Sequence, residues 1–249
     1  MTGASSGIGA SLARHYAASG ATLGLIARRK PELERLAAGF PTPCEVYALD
    51  VRDATAIAAA ARHFIARHGC PDIVIANAGV SLGTLTEHAE DIPAFQEVFD
   101  INVMGMVKAF QPFVACMRER GGGALAGIAS IAGYRGLPGA AAYSASKAAV
   151  ISCLESLRVE LRASGVKVTA ICPGYIATPM TEKNPYPMPF LMSADEAAVK
   201  IAALIEHGRT FAVIPWQMAL AARVMRVLPN WLYDRLAADA PRKPRRAAE

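Results

Sequence analysis

The segment Thr2-Gly3-Ala4-Ser5-Ser6-Gly7-Ile8-Gly9 spaces its glycines as G-x-x-x-G-x-G and runs straight into an amphipathic helical pattern. Glycine permits a tight turn and close backbone approach to a bound group. The helix behind the turn offers free N–H groups and a positive dipole end, which together suit a pyrophosphate. Gly3, Ser5, Ser6, Gly7, Ile8 and Gly9 are therefore candidate phosphate-binding positions. Such a turn also serves as an ordinary strand-to-helix connection, so the rest of the chain has to decide.

Downstream, short β-branched runs alternate with longer helical ones. Strands are expected at 22–27, 45–50, 72–76, 124–129, 166–172 and 211–214, with helices near 7–19, 31–38, 53–68, 91–119, 142–163 and 194–207. This alternation predicts an α/β fold, a Rossmann-type doubly wound parallel sheet with helices on both faces. One element is short. The turn begins at Thr2, so the first strand, which should be central, is truncated to Met1 and Thr2. A missing central strand leaves buried backbone groups unpaired on both neighbours, at about 1–3 kcal/mol each. The expectation is that the true start lies upstream. Good yield and cooperative unfolding, with no gain from an extended chain, would overturn it.

Composition sets outer limits. The 249 residues are 53% hydrophobic and 19% charged, which excludes a disordered chain. No uninterrupted apolar run reaches the roughly 18 residues of a membrane span, and no secretion signal is readable. The net charge of +5 is concentrated in Arg242, Lys243, Arg245 and Arg246, so the body offers no broad nucleic-acid face. Cys44, Cys70, Cys116, Cys153 and Cys172 are scattered with no C-x-x-C pair. That spacing argues against a disulfide framework or a zinc site, and points to reduced thiols in a cytoplasmic protein. His15, His63, His68, His88 and His207 fall away from the motifs and receive no catalytic role.

Past the second strand, Ala27-Arg28-Arg29-Lys30 has no carboxylate until Glu32. Folds that bind NAD usually carry an acid here, bonded to the ribose 2′-hydroxyl. A carboxylate would repel the extra phosphate of NADP, whereas arginine pairs with it bidentately. Arg28 and Arg29 therefore favour NADP(H) over NAD(H).

Tyr143-Ser144-Ala145-Ser146-Lys147 puts a phenol and an ammonium one helical turn apart. A neighbouring ammonium is expected to lower the tyrosine pKa by about 1–3 units, towards the range of general acid–base catalysis. Y-x-x-x-K alone is commonly a solvated pair. Ser130, at the carboxyl end of a buried strand, could polarise the substrate oxygen that Tyr143 protonates. Asn102 sits inside a strongly helical run, where asparagine is out of place, an inconsistency typical of functional sites.

From Thr2 to about Ile214 the sequence resembles the classical short-chain dehydrogenase/reductase family. The motifs in order are TGASSGIG, Leu49-Asp50-Val51, Asn77-Ala78-Gly79, Asn102, Ser130, Tyr143 with Lys147, and Pro173-Gly174 with Thr178. The resemblance implies that Tyr143 is the acid/base, that Lys147 lowers its pKa and holds the nicotinamide ribose, and that Ser130 orients the carbonyl. It implies that Asn102 holds a water linking Lys147 to solvent. Asp50 and Val51 would contact adenine, though Asp50 also suits a helix-entry cap. Asn77, Ala78 and Gly79 would shape the cofactor floor, and Pro173, Gly174, Ile176 and Thr178 would close on the nicotinamide. No metal is implied.

The expected organisation is a catalytic domain over 1–215 with a substrate loop at 179–192, C-terminal helices over 216–238, and a basic, disordered tail over 239–249. Two stretches should frame the substrate. One is Ala132 through Pro138; the other is Met180 through Met192, with Tyr186, Met188, Phe190 and prolines at 185, 187 and 189. Their apolar character suits either a lid over an apolar carbonyl or alcohol substrate, or packing against another subunit. The helices over 216–228 and 230–238 carry Leu220, Val224, Trp231 and Leu232 with Arg223 and Arg226. Packing over the pocket or a partner is expected there before contact with a membrane surface. The resemblance implies a homodimer or homotetramer. Two alternatives stand beside the oxidoreductase: a catalytically silent NADP-binding regulatory or interaction protein, and a sugar-nucleotide epimerase. Against the epimerase, the glycine spacing is not G-x-x-G-x-x-G and no sizeable second domain is present.

Overall fold

A computed structural model describes residues 1–182, 184, 186–240 and 242–245. Six parallel strands carry the architecture: β1 (Leu23–Ala27), β2 (Cys44–Ala48), β3 (Ile73–Ala76), β4 (Gly123–Ile128), β5 (Val166–Pro173) and β8 (Phe211–Ile214). A small parallel pair, β6 (Ile176–Ala177) with β7 (Met192–Ser193), lies apart. β4 and β5 are buried at nearly every position, as strands covered on both faces must be.

On one face α1 (Gly7–Ala18), α2 (Lys30–Ala38) and α7 (Ala194–Glu206) bury Leu12, Leu33 and Ile201 against Leu25 and Ile171. On the other, α3 (Ala54–His68), α5 (Gly105–Arg120) and α6 (Ala141–Glu160) bury Ala61, Phe110 and Leu154 against Leu125 and Val168. Gly127 of β4 lets α6 approach closely, because a Cβ there would meet Leu154 Cδ1 at 2.6 Å. That approach fixes the height of α6 over the sheet and so aims its first turns at the strand ends. Helices α8 (Trp216–Val227) and α9 (Asn230–Ala237) complete the chain, and among the described residues no helix is long and apolar enough to cross a membrane.

The strands hydrogen-bond as β1-β2 and as β3-β4-β5-β8, and among the described residues Met1 and Thr2 bridge β1 and β3. Thr2 N–H donates to Ile75 O at 2.9 Å, and Ile26 N–H donates to Met1 O at 2.9 Å. Above them a cavity of about 500 Å³ runs between Leu23–Ile26 and Ile73–Ile75, flanked by Tyr16, Phe64 and Phe113. The Met1 ammonium donates to Gly24 O at 2.6 Å, and burial pushes its pKa down to about 6. Tyr16, 7% exposed, finds no hydrogen-bond partner for its hydroxyl among the described residues.

Two expectations are corrected. Cys70, ahead of β3, and Cys116, in α5, are joined as a disulfide with their Cα atoms 5.9 Å apart. They lie 46 residues apart in sequence, and only the packing of α5 beside the loop before β3 brings them together. Cys44, Cys153 and Cys172 are free thiols. The tail, expected to be solvated, folds back where it is described. Arg245 pairs with Asp91 at 2.8 Å and Glu90 at 3.0 Å, and the buried Asp91 carboxylate gives it a fixed partner. Arg246 and the proline at 185 lie outside the described residues.

Candidate active site

The glycine turn is clamped from below. Thr2 Oγ1 accepts from Asn77 N–H and Ala78 N–H at 3.1 and 3.0 Å, while Asn77 Nδ2 donates to Thr2 O and Gly3 O. Gly3 and Gly7 have φ of +65° and +54°, the left-handed region that side chains disfavour. A Cβ on Gly3 would meet Ala78 Cα at 2.8 Å, and one on Gly9 would run into Gly3 O. Gly9 therefore shapes the turn from behind, away from the cleft. No side chain caps α1 and no acid lies in its first turn, so its N–H groups face an open cleft of about 500 Å³.

That cleft gathers almost every residue singled out from the sequence. At one end are Gly3, Ser5, Ser6, Gly7, Ile8, Arg28, Arg29, Asp50 and Val51; across the floor are Asn77, Ala78 and Gly79. At the other end are Ser130, Tyr143, Lys147, Pro173, Gly174, Ile176 and Thr178. Ala27, Leu49, Val80, Ile101, Ile128, Ala129, Pro179, Met180 and Thr181 also line it. Most of these are apolar neighbours of motif residues, and they carry no chemical signal of their own. Among the described residues no group of three or more His, Cys, Asp or Glu could hold a metal.

The cations at the first end differ. Arg29 donates to Ser5 Oγ at 2.9 Å and lies 3.9 Å from Glu32. Arg28 is exposed on the cleft and makes no hydrogen bond or ion pair among the described residues, although Asp50 feels its charge. Asp50 is gripped by the Arg52 guanidinium at 2.7–3.1 Å, which holds its carboxyl below the usual carboxylate range. Its alternative role as a helix cap falls to Asp53, which accepts from Ala56 N–H at 2.9 Å.

At the second end, Ser130 leaves β4 and caps a short turn, Ile131–Gly133, by accepting from Ala132 N–H at 3.1 Å. A Cβ on Gly133 would meet the Lys147 backbone at 2.8 Å, so the turn rests on α6, and Ser130 lines the cleft together with Tyr143. Lys147, 4% exposed, donates to Ile128 O at 2.8 Å and stands 5.8 Å from the Tyr143 ring. Cys172, buried beneath, has its thiol pushed up to about 12 by burial.

Here the expected sign changes. Burial pushes the Tyr143 phenol up and the Lys147 ammonium down to about 8. The ammonium is directed at the Ile128 carbonyl, and desolvation is the dominant influence on the phenol. A measurable consequence follows for stability. Between pH 8 and 10.5 the folded chain binds fewer protons at Lys147 than the unfolded chain, so its stability rises with pH across that window. Below pH 8 the full penalty of about 3 kcal/mol is present. Lys147→Met removes it but orphans Ile128 O from this donor, at about 1–2 kcal/mol. Lys147→Met is expected to raise the thermal midpoint at pH 7 by about 4 °C, with the gain fading towards pH 10. A lowered midpoint at pH 7 in calorimetry would show that the ammonium stabilises the fold.

Asn102 lies behind the cleft, 2% exposed, in a π-helical turn (Asp100–Met104) between α4 (Ile92–Phe99) and α5. Gly105 N–H bonds back five residues to Asp100 O. Such widened turns recur at functional sites. Asn102 Oδ1 accepts from Val80 N–H at 2.8 Å, and Nδ2 donates to Val80 O and Ser146 Oγ at 3.0 Å. Gly79 separates it from Lys147: a Cβ there would lie 3.2 Å from Asn102 Oδ1 and 3.5 Å from Lys147 Nζ. Ser146, whose hydroxyl donates to Tyr143 O at 2.7 Å, had no signal in the sequence beyond its place in the motif.

Known proteins share this fold. A family model described as short chain dehydrogenase matches residues 1–187. An uncharacterized oxidoreductase of Myxococcus xanthus is 41% identical over 95% of this chain and 94% of its own length. Among solved structures, 3-ketoacyl-(acyl-carrier-protein) reductase from Brucella melitensis, complexed with NADH, superposes with a TM-score of 0.78 at 25% identity, covering 86% of this chain and 94% of that one. L-sorbose reductase from Gluconobacter frateurii, complexed with NADPH and L-sorbose, gives 0.77 at 26% identity, covering 86% and 93%. The ordered motifs, the parallel sheet and the extent of these matches agree, and the chain belongs to the short-chain dehydrogenase family of oxidoreductases.

Proposed function

We propose that the chain is an NADP(H)-dependent oxidoreductase that interconverts an apolar alcohol and the corresponding ketone or aldehyde, with Tyr143 as acid/base. The observation that carries this is one cleft with a phosphate-receptive turn and, among the described residues, an unpaired arginine at one end and Ser130, Tyr143 and Lys147 together at the other. The residues present fit a dinucleotide: the turn has no room for side chains, the α1 N–H groups are uncapped, and Arg28 has no competing partner among the described residues. A bound nicotinamide supplies or accepts the hydride.

The chain's residues do the rest. Ser130 orients the substrate oxygen, and Tyr143 gives it a proton in reduction or removes one in oxidation. Lys147 holds positive charge beneath the phenol and binds the ribose, while Asn102 positions the Lys147 side of the site. Asp50 and Val51 bind adenine, and Ile176 and Thr178 bind the carboxamide. The segment 179–192, with Phe190 and Leu191 exposed, frames an apolar substrate. A homodimer or homotetramer built on the long helices α5 and α6 is the assembly proposed here.

Cofactor choice is tested by fluorescence titration with NADPH and NADH. Arg28→Asp replaces a phosphate-pairing cation by an anion and is expected to weaken NADPH binding about a hundredfold while leaving NADH nearly unchanged. Equal affinity for the two cofactors, unchanged in the variant, would refute the NADP assignment.

A further inference from the structure

The two C-terminal helices are amphipathic in an unusual way. α8 buries Met218 and Ala222, and Met218 packs where a Cβ on Gly174, in the cleft, would meet it at 2.8 Å. A helix anchored by its apolar side should show water a polar one. Instead Trp216, Leu220, Val224 and Val227, spaced 4, 4 and 3 residues apart on one face, are all exposed, Trp216 by 72% and Val227 by 79%. α9 adds Trp231 at 69% and Leu236. An apolar stripe of this kind on a protein surface marks an interaction site.

The face is held rigidly. Arg135 stacks on the Tyr233 ring at 4.1 Å and donates to Met225 O and Leu228 O, closing the end of α8, and to Asn230 Oδ1 of α9. Arg226 donates to Tyr134 O, and the Tyr233 hydroxyl to Gly136 O. Both helices are thereby fastened to the loop that follows Ser130, so the stripe is presented by a braced element.

Its charge says what it meets. α8 contains no carboxylate; its charged residues are Arg223 and Arg226, and α9 adds Arg235 against a single Asp234. A second copy docked by two-fold symmetry would set arginine-bearing helices against each other with no acid on α8 to pair. A phospholipid surface supplies phosphates for the arginines and an interface in which tryptophan is favoured. We propose that the outward face of α8 and α9 seats the protein on an anionic phospholipid surface, with Trp216, Leu220, Val224, Val227 and Trp231 in the headgroup layer.

Trp216 and Trp231 are the chain's only tryptophans, so intrinsic fluorescence reports on this face alone. The full chain is mixed with phosphatidylcholine vesicles with and without phosphatidylglycerol, and followed by emission and by co-sedimentation. The expected result is a blue shift and pelleting with the anionic vesicles, weakened by salt. Trp216→Gln/Leu220→Gln/Val224→Gln is expected to lose at least about tenfold in partitioning, and Arg223→Gln part of that. All these positions are exposed, and an unchanged thermal midpoint verifies the fold. Absence of pelleting with anionic vesicles, or pelleting indifferent to the triple variant, overturns the proposal. So does a wild-type oligomer in light scattering that the triple variant dissociates while vesicles leave the emission unmoved; that outcome assigns the face to a second copy.

Discussion

Tyr143→Phe is expected to lower turnover about a thousandfold, within the 10²–10⁴ range of general acid–base catalysis, while NADPH affinity stays within a few-fold of wild type. The substitution removes one hydroxyl. The ring remains to fill the cleft, and Lys147, which donates to Ile128 O, keeps its bond. What disappears is the hydroxyl that shares the cleft with Ser130 and that the proposed reaction uses to exchange a proton with the substrate oxygen. The direction of the pH dependence follows from the raised phenol pKa. Reduction needs the neutral phenol, the dominant form at pH 7, whereas oxidation needs phenolate, a minor form. The wild-type rate of alcohol oxidation should rise by about tenfold per pH unit below that pKa, and reduction should not. A phenylalanine variant that keeps more than a tenth of wild-type turnover would assign the proton transfer to another group.

How much of this was legible beforehand depends on what each residue answers to. Strand β8 is found at the expected 211–214, and β1 and β4 within one residue of expectation, because each is a short apolar run set off from the helical patterns around it. Arg28 could be singled out from the absence of a carboxylate beside it, and it lies on the cleft. Asn102 announced itself by sitting badly in a helix; the structure shows the π turn that accommodates it. Three features were not legible. Cys70 and Cys116 meet only through the packing of α5, which no spacing rule encodes. Arg245 looked like one cation in a solvated tail, and its buried partner Asp91 is 154 residues earlier. The Tyr143 shift was read with the wrong sign because sequence shows that an ammonium is one turn away, and not that both groups are buried or that the ammonium faces a carbonyl.

The slot between β1 and β3 carries the second large effect. A four-residue apolar segment such as Val-Ala-Val-Ile, placed behind a start methionine and directly ahead of Met1, is expected to raise the thermal midpoint by about 10 °C. Bridging of Thr2 to Ile26 sets the register, so preceding residues run back along Gly24, Leu23 and Thr22 on one side and Ile73 on the other. Each inserted residue loses about 1–2 kcal/mol of backbone freedom. Each apolar side chain it buries returns about 1.5–3 kcal/mol, and each ladder hydrogen bond about 0.5–1.5 more. The balance is a few kcal/mol in favour, at about 2–4 °C per kcal/mol for a chain of this size. Extension also converts the Met1 ammonium into an amide. With its pKa pushed down to about 6 in the folded state from 8.0, that ammonium makes the parent chain gain stability as pH rises from 6 to 8. The extended chain should lose that contribution to the rise. A control extension of alternating Asp and Pro, which can neither fill an apolar slot nor donate to a ladder at its prolines, should give no gain. If both extensions left the midpoint and its pH dependence as they are in the parent chain, the slot would not be a strand site, and Met1 and Thr2 alone would suffice to hold the two halves of the sheet together.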